Sequence, residues 1–154
     1  MTRKEFGSGQ YHVEFKVPYV PQKRGQGRGN SGVYIQHRYE VQVLDSFGLK
    51  SQSNDCGGIY KVAAPKVNAC FPPGQWQTYD ITFRAAKLSP GGQVQDLPTL
   101  TVLHNGVSIH DGQKVPKATT AAGRGGHAKL GPLKLQDHGH KVRYRNIWFV
   151  ESKD

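Results

Sequence analysis

The chain has 154 residues, which is the length of one ordinary domain. Its 19 glycines and 9 prolines, with only 36% hydrophobic residues, exclude a bundle of long amphipathic helices. No apolar run approaches the roughly 18 residues that cross a bilayer, so we expect no membrane span.

The net charge of +10 raises the question of an anionic partner. The basic residues lie in short clusters such as Lys23-Arg24, without a long basic run. Neither an RNA-binding aromatic signature nor a zinc-finger spacing appears. We therefore predict a basic surface without a specific nucleic-acid partner.

Short runs of period-2 alternation predict strands along the whole chain. Asn105-Gly106 suits the two positive φ values of a type I′ hairpin turn. Two longer connections, residues 18–31 and 113–132, exceed ordinary hairpin loops. Strands separated by turns indicate an all-β fold, an antiparallel β-sandwich or jelly roll with a polar concave face. The predicted strands are residues 11–17, 32–44, 76–83, 100–103 and 142–150.

The run at residues 32–44 is the most informative of these strands. Read as one strand, it places five hydrogen-bonding side chains on one face, whereas Lys, Glu, Ser and Thr are usual on a merely solvated face. Such a set suits a polyhydroxylated ligand, and we predict that it lines a saccharide-sized hollow with its acid groups turned inward. The alternative is an ordinary surface strand. The five residues are Tyr34, Gln36, Arg38, Glu40 and Gln42.

Asp45 belongs to the opposite face by parity, unless a β-bulge turns it back beside Glu40. The spacing of Glu40, Gln42 and Asp45 then resembles the bulged Glu-x-Asp-x-x-Glu strand of jelly-roll glucanases. Here Gln replaces the central Asp and Asp replaces the last Glu. This difference argues against a simple retaining double displacement, which needs two carboxylates at a set separation.

Seven motifs in order resemble the 3-keto-disaccharide hydrolase family, long labelled domain of unknown function 1080. The resemblance implies a concanavalin A-like jelly roll, action on glycosides oxidised at carbon 3, and a secreted or periplasmic location. Family members usually begin further upstream, so we expect a single domain, residues 1–154, in which an N-terminal edge strand is either absent or supplied by a partner. No signal peptide is present in this chain. The motifs are residues 29–34, 39–45, 58–60, 74–81, 104–107, 131–138 and 142–148.

The chemistry implied by the resemblance needs a base, an acid and a stabilised enolate. A ketone at carbon 3 acidifies the proton on carbon 2, so a base can remove it and the group on carbon 1 leaves by elimination. We predict Glu40 as the base and Asp45 or Asp137 as its partner. Arg38, Arg145 or a metal ion would stabilise the enolate.

A wider set of side chains is expected to hold the carbohydrate. Arg145 has a structural alternative, an ion pair that joins two sheets, and Trp148 is predicted to lie in the core rather than on a sugar. The predicted substrate-binding residues are Asn30, Tyr34, Gln36, Arg38, Gln42, Trp76, Gln136, His138 and Arg145.

Two features are left open by the residues. Asp137, His138 and His140 could hold a divalent metal, although two His at this spacing beside Gly are more typical of a surface turn. Cys56 and Cys70 are compatible with one disulfide or with two separate buried thiols.

The predicted function is a 3-keto-glycoside hydrolase or lyase. Because a fold does not determine a function, a noncatalytic glycan-binding module is an alternative. An unpaired sheet edge can also accept a strand from a neighbour, which would make the protein a homo-oligomer or a subunit of an extracellular assembly.

Overall fold

The computed structural model describes residues 1–152. Twelve strands account for nearly all of its regular structure, and the only helical element in this range is a 3₁₀ turn at Gly25–Gly27. No helix among these residues is long and apolar enough to cross a membrane. The strands are β1 (Glu5–Phe6), β2 (Gly9–Lys16), β3 (Ser31–Ile35), β4 (Tyr39–Val43), β5 (Gln77–Arg84), β6 (Lys87–Leu88), β7 (Val94–Asp96), β8 (Thr99–His104), β9 (Val107–Lys114), β10 (Gly131–Pro132), β11 (Lys134–Leu135) and β12 (Arg143–Glu151).

Two antiparallel sheets face each other across one core. The five-stranded sheet has the order β12-β2-β5-β8-β9, and the three-stranded sheet has the order β11-β3-β4. Alternate residues of both sheets point inward and are buried, such as Tyr11, Val13 and Phe15 in β2 and Val41 in β4. Two small sheets, β1-β10 and β6-β7, complete the molecule. The predicted all-β jelly-roll sandwich is confirmed.

The predicted continuous strand at residues 32–44 is wrong. Residues 36–38 form a tight turn, and β3 and β4 are the two arms of a hairpin. Gln36 and His37 adopt φ values of 56° and 55°, which a strand does not accommodate. Tyr34 pairs with Glu40, and Gly32 with Gln42, so these residues still share one face.

Cys56 and Cys70 are both buried and both free. They are adjacent, because each thiol influences the pKa of the other. The Cys56 thiol also lies 3.2 Å from the Tyr79 hydroxyl. Desolvation raises the pKa of Cys56 well above its ordinary value, so this thiol stays protonated in the core.

The hairpin between β8 and β9 confirms the Asn105-Gly106 prediction. Both residues have positive φ, 52° and 79°. The Asn105 side chain also accepts a hydrogen bond from Thr78 N at 2.9 Å and donates one to the Ala69 carbonyl at 2.8 Å. The turn therefore fixes the neighbouring strand β5 and the loop before it.

We expect Asn105→Ala to lower the free energy of unfolding by about 2–3 kcal/mol, because it removes two hydrogen bonds and strains the backbone. Asn105→Gly removes the same bonds without the strain and should cost less. Urea denaturation of both variants measures the difference. Equal losses would show that the backbone conformation contributes nothing.

Candidate functional site

Glu40 lies in β4, an edge strand of the three-stranded sheet, on the outer face, the side away from the core. In β4 the neighbours Tyr39 and Val41 point into the core, so strand alternation sends Glu40 outward. Its carboxylate lies over Gly32 on β3: a Cβ at Gly32 would overlap Glu40 Oε1 and lie 2.9 Å from its Cγ and Cδ. The absence of a side chain at Gly32 therefore makes room for the carboxylate.

A hydrogen-bond network extends from Glu40 along the sheet. In the amide orientation that satisfies its neighbours, Gln42 donates to Glu40 Oε1 at 3.0 Å and to the Ser31 carbonyl at 2.8 Å. Gln42 contacts the Gln26 amide at 2.9 Å. Gln26 in turn accepts from Asn30 at 3.0 Å. The predicted residues Asn30, Glu40 and Gln42 thus meet in one network.

Strand β11 extends this face on the other side of β3. Lys134 pairs with Tyr34, and its ammonium lies 5.3 Å from the centroid of the Tyr34 ring. Gln136 donates to the Tyr34 hydroxyl at 3.3 Å, while its own Oε1 is buried without a partner. We call the side chains of Tyr34, Glu40, Gln42, Lys134 and Gln136 the polar cluster. The buried Gln136 acceptor lacks a hydrogen-bond donor, which a ligand entering the cluster could supply.

The electrostatics of the polar cluster favour a proton-accepting carboxylate near neutral pH. Burial raises the pKa of Glu40 from 4.5 to about 7, and the nearby Tyr34 hydroxyl and Lys134 ammonium offset part of that rise. Burial is likewise the main cause that raises the pKa of Tyr34, with the Glu40 charge adding to it. A carboxyl group with this pKa can exchange a proton at physiological pH.

The polar cluster is covered rather than open. Glu40 is only 2% exposed, and Tyr34 and Gln42 are equally buried. Gln26, in the 3₁₀ turn, lies over the network and is fixed by a 2.7 Å hydrogen bond to the Asn54 carbonyl. The predicted open hollow is therefore not present at Glu40, and a sugar can reach the carboxylate only if groups that cover it move.

Gln36 and Arg38 do not join the polar cluster, because the turn removes them from the strands. Gln36 donates to the Lys129 carbonyl at 2.9 Å. Arg38 donates to the Gly125 carbonyl at 3.2 Å and to the Gln36 carbonyl at 3.0 Å. Both side chains fasten the long loop before β10 to the hairpin.

The other two predicted carboxylates lie apart from the network. Strand β4 ends at Val43 without the expected bulge, and the buried Asp45 forms an ion pair with Arg28, whose Nε lies 3.0 Å from Asp45 Oδ2. Asp137 is exposed and accepts from Gly139 N at 3.0 Å. His138 is exposed on the same loop. The charge of Asp45 is thus paired with that of Arg28, whereas the Asp137 side chain faces solvent.

Arg145 and Trp76 lie on the opposite side of the molecule. In β12 Arg145 pairs with Glu14 of β2, and its Nε lies 2.5 Å from the Glu14 carboxylate on the outer face of the five-stranded sheet. The Arg145 guanidinium also stacks on the Trp76 ring at 4.0 Å. The core separates both side chains from Glu40, so neither can contact a sugar bound there.

The loop at residues 136–140 was the candidate for a metal site. His138 and His140 stack with centroids 5.8 Å apart, and His140 Nδ1 lies 3.2 Å from the Asn30 carbonyl. Within residues 1–152, no three His, Cys, Asp or Glu side chains group closely enough to hold a metal ion.

Two residues of this site were not among those predicted. Lys134 and Gln136 are two residues apart and therefore point to the same side of a strand. The alternation of residues 133–136 could thus have predicted Lys134 as a member of the site. Gln26 lies in the long Gly-rich connection, where no periodicity exists, and only the fold brings it over the sheet.

Comparison with known structures identifies a close relative of the fold. The chain superposes with a TM-score of 0.86 and 37% identity on a protein from Parabacteroides distasonis described as a candidate glycosyl hydrolase. The alignment covers 98% of this chain and 66% of that protein, so the chain spans just under two thirds of its length. A second candidate glycosyl hydrolase from the same organism aligns at 18% identity and a TM-score of 0.65, over 95% of this chain and 72% of that one. The second likeness concerns the fold alone.

No curated protein matches the chain. The family model of the 3-keto-α-glucoside-1,2-lyase-like domain matches residues 1–150, which is almost the whole sequence. The chain therefore belongs to the 3-keto-α-glucoside-1,2-lyase-like domain family.

Proposed function

We propose that the protein is a glycoside-acting enzyme that cleaves 3-keto-glucosides by removing the proton on carbon 2. Membership of the lyase-like family supports the substrate class, and the relative described as a candidate glycosyl hydrolase supports action on glycosides. The observation that carries the proposal is the buried Glu40, with a pKa of about 7, at the centre of a polar cluster. Secretion or a periplasmic location stays a prediction from the family resemblance.

The reaction needs a base whose conjugate acid has a pKa near the working pH, and Glu40 meets that condition at neutral pH. The C2–H bond breaks, its proton passes to Glu40, and its electron pair forms the enolate of the carbon 3 ketone. The enolate then reforms the ketone, a double bond forms between carbons 1 and 2, and the C1–O bond breaks. The leaving oxygen takes a proton from solvent, and addition of water to the enone completes a hydrolysis.

Lys134 is the charge best placed to stabilise the enolate. It adjoins Glu40 closely enough to lower the pKa of the carboxyl, and it lies above the Tyr34 ring. A developing oxyanion in a water-poor site gains strongly from a fixed cation. Lys134 takes the role that the sequence suggested for Arg38 or Arg145, because Arg38 binds backbone carbonyls and Arg145 lies on the opposite sheet.

Substrate hydroxyls can replace the hydrogen bonds that close the network. Asn30 donates to Gln26, and the Gln42 amide lies 2.9 Å from the same side chain, so displacement of the 3₁₀ turn would expose both amides to the sugar. Gln136 Oε1 already lacks a partner. These amides are on the same face as Glu40 and can orient the ring above its carboxylate.

The 2% exposure of Glu40 favours a second candidate function, a glycan-binding module on the same fold. In that case the carboxylate only supports the covering turn, and the protein binds sugar without cleaving it. Release of an aglycone distinguishes the two functions.

Glu40→Gln should abolish release of 4-nitrophenol from 4-nitrophenyl 3-keto-α-glucoside, with a loss of at least about 100-fold in kcat/KM, because an amide cannot accept the proton.

In the native protein, kcat/KM should rise tenfold per pH unit below about pH 7 and level off above it, as Glu40 ionises.

Glu14→Gln makes the same chemical change on the opposite face, where Glu14 pairs with Arg145 and accepts a hydrogen bond from Asn146, and should leave the rate within about twofold. Unchanged release by Glu40→Gln would remove Glu40 from the role of base. Native protein that binds the substrate without releasing nitrophenol would favour the binding module.

The same carboxylate should make stability depend on pH without any substrate. Because its pKa is higher in the folded state (about 7) than its ordinary value of 4.5, ionisation opposes folding, and this cost grows from pH 4.5 to pH 7 and is constant above. The free energy of unfolding of Glu40→Gln, relative to that of the native protein, should therefore rise by on the order of 3 kcal/mol between pH 4.5 and pH 8. Urea denaturation at both pH values measures it, and a difference that does not change with pH would contradict the raised pKa.

Gly32→Ala should expel the Glu40 carboxylate from its place, because the added Cβ overlaps it. We expect a loss of at least about tenfold in kcat/KM, since small misplacements of a catalytic group are costly. Circular dichroism checks that the fold persists. Gly91→Ala is the control, because the nearest atom to its Cβ lies 3.8 Å away, and normal activity of Gly32→Ala would show that the position of Glu40 is not critical.

A further inference from the structure

The outer face of the five-stranded sheet carries an exposed tryptophan. Trp148 is 42% exposed, whereas its neighbour Phe149 packs into the core against Phe6 and Tyr11, with ring centroids 4.8 Å and 4.6 Å away. Strand alternation therefore sends the indole of Trp148 to solvent, and its predicted place in the core is wrong. A tryptophan that is neither buried nor needed for the core has a cost in solvent and is typical of a binding surface.

The indole is held in a fixed orientation by two neighbouring strands. Trp148 pairs with His12 of β2, and the two rings stack with centroids 4.9 Å apart and an interplanar angle of 6°. His12 Nδ1 lies 2.6 Å from the Asp80 carboxylate of β5. The successive contacts from Asp80 to His12 and from His12 to Trp148 therefore fix the orientation of the flat indole ring before any ligand binds.

A groove of about 280 Å³ adjoins this plane. Such a volume is close to the lower end of the roughly 300–1,000 Å³ of small-molecule pockets and suits one or two sugar rings. Cross-strand pairing brings Thr82 beside both Gln10 and Thr101, so an amide and two hydroxyls line one wall. The lining side chains of the outer face are Gln10, Asp80, Thr82, Thr101, Leu103 and Trp148.

The chemistry of the groove selects a neutral pyranose. An aromatic plane packs on the C–H face of a sugar ring, while the amide, hydroxyl and carboxylate groups exchange hydrogen bonds with its hydroxyls. The Asp80 carboxylate in the wall disfavours phosphates and other anions, even though the chain carries a net charge of +10.

Trp76 on the same sheet provides the contrast. The Arg145 guanidinium and the Lys16 ammonium lie 4.0 Å and 5.0 Å from the centroid of its ring. These two cations lie against the Trp76 ring, where a sugar would have to stack. Of the two tryptophans in the chain, Trp148 is therefore the one available to a ligand.

We propose that Trp148 and the adjoining groove form a second saccharide-binding site for neutral glucose oligosaccharides, separate from Glu40. The two sheets pack their inner faces on one core, so the outer faces that carry Trp148 and Glu40 point away from each other. The site requires none of the chemistry proposed for Glu40, and its test can fail or succeed independently.

The test uses the two indole N–H signals in an NMR titration of the ¹⁵N-labelled Glu40→Gln protein with maltohexaose and with cellohexaose. We expect the Trp148 signal to shift and saturate with a Kd on the order of 1–10 mM for at least one oligosaccharide, while the Trp76 signal stays in place. Trp148→Ala should weaken binding at least tenfold, followed by backbone amide signals, and Trp76→Ala should leave it within twofold.

Gln10→Ala tests the site even if Trp148→Ala does not fold. It removes an amide from the groove and leaves the stack of Trp148 with His12 intact. It should weaken binding several-fold. Three results would overturn the proposal: no saturable shift with either sugar, equal loss in Trp76→Ala, or a concentration-dependent dimer in sedimentation that disappears in Trp148→Ala. The last result would assign the exposed indole to a protein contact.

Discussion

The burial of one carboxylate is the constraint on which the rest of the proposed site depends. Glu40 is kept on a sheet face that is sealed from water, and this desolvation alone gives the carboxyl the pKa of about 7 that a general base requires. The arrangement rests on hairpin register: Tyr34 opposite Glu40 supplies a hydroxyl, and Gly32 opposite Gln42 leaves the space above β3 empty. A slip of one residue would turn Glu40 into the core.

The hydrogen-bond network around Glu40 explains how the fold tolerates a buried carboxylate. The amides around Glu40 are held by hydrogen bonds, since Gln42 donates to the carboxylate and Asn30 donates to Gln26. The Lys134 ammonium balances the carboxylate when it ionises. The exception is Gln136 Oε1, which is buried without a donor. A sugar that displaced Gln26 would exchange protein hydrogen bonds for its own and satisfy this atom, so binding and opening of the 3₁₀ turn favour each other.

The sequence predicted the fold and the polar face well, but for partly wrong reasons. Alternation cannot distinguish one long strand from a hairpin whose three-residue turn preserves parity, so Tyr34, Glu40 and Gln42 were correctly grouped while Gln36 and Arg38 were lost to the turn. Which sheet a strand joins is a matter of long-range pairing, and no local pattern shows it. Arg145 and Trp76 were therefore expected beside Glu40, although the core lies between them.

The two outer faces of the sandwich impose a limit on any ligand that uses both. Packed sheets are about 10 Å apart, and outward side chains on both sides widen that separation further. A short oligosaccharide held at Trp148 would have to pass around a sheet edge to reach Glu40. The proposed second site is therefore too remote to be a substrate subsite, and it suits an anchor that holds the protein on a glycan while the opposite face acts on a different sugar. In such an arrangement, loss of Trp148 would affect retention on a glycan and leave the turnover of a small free glucoside unchanged.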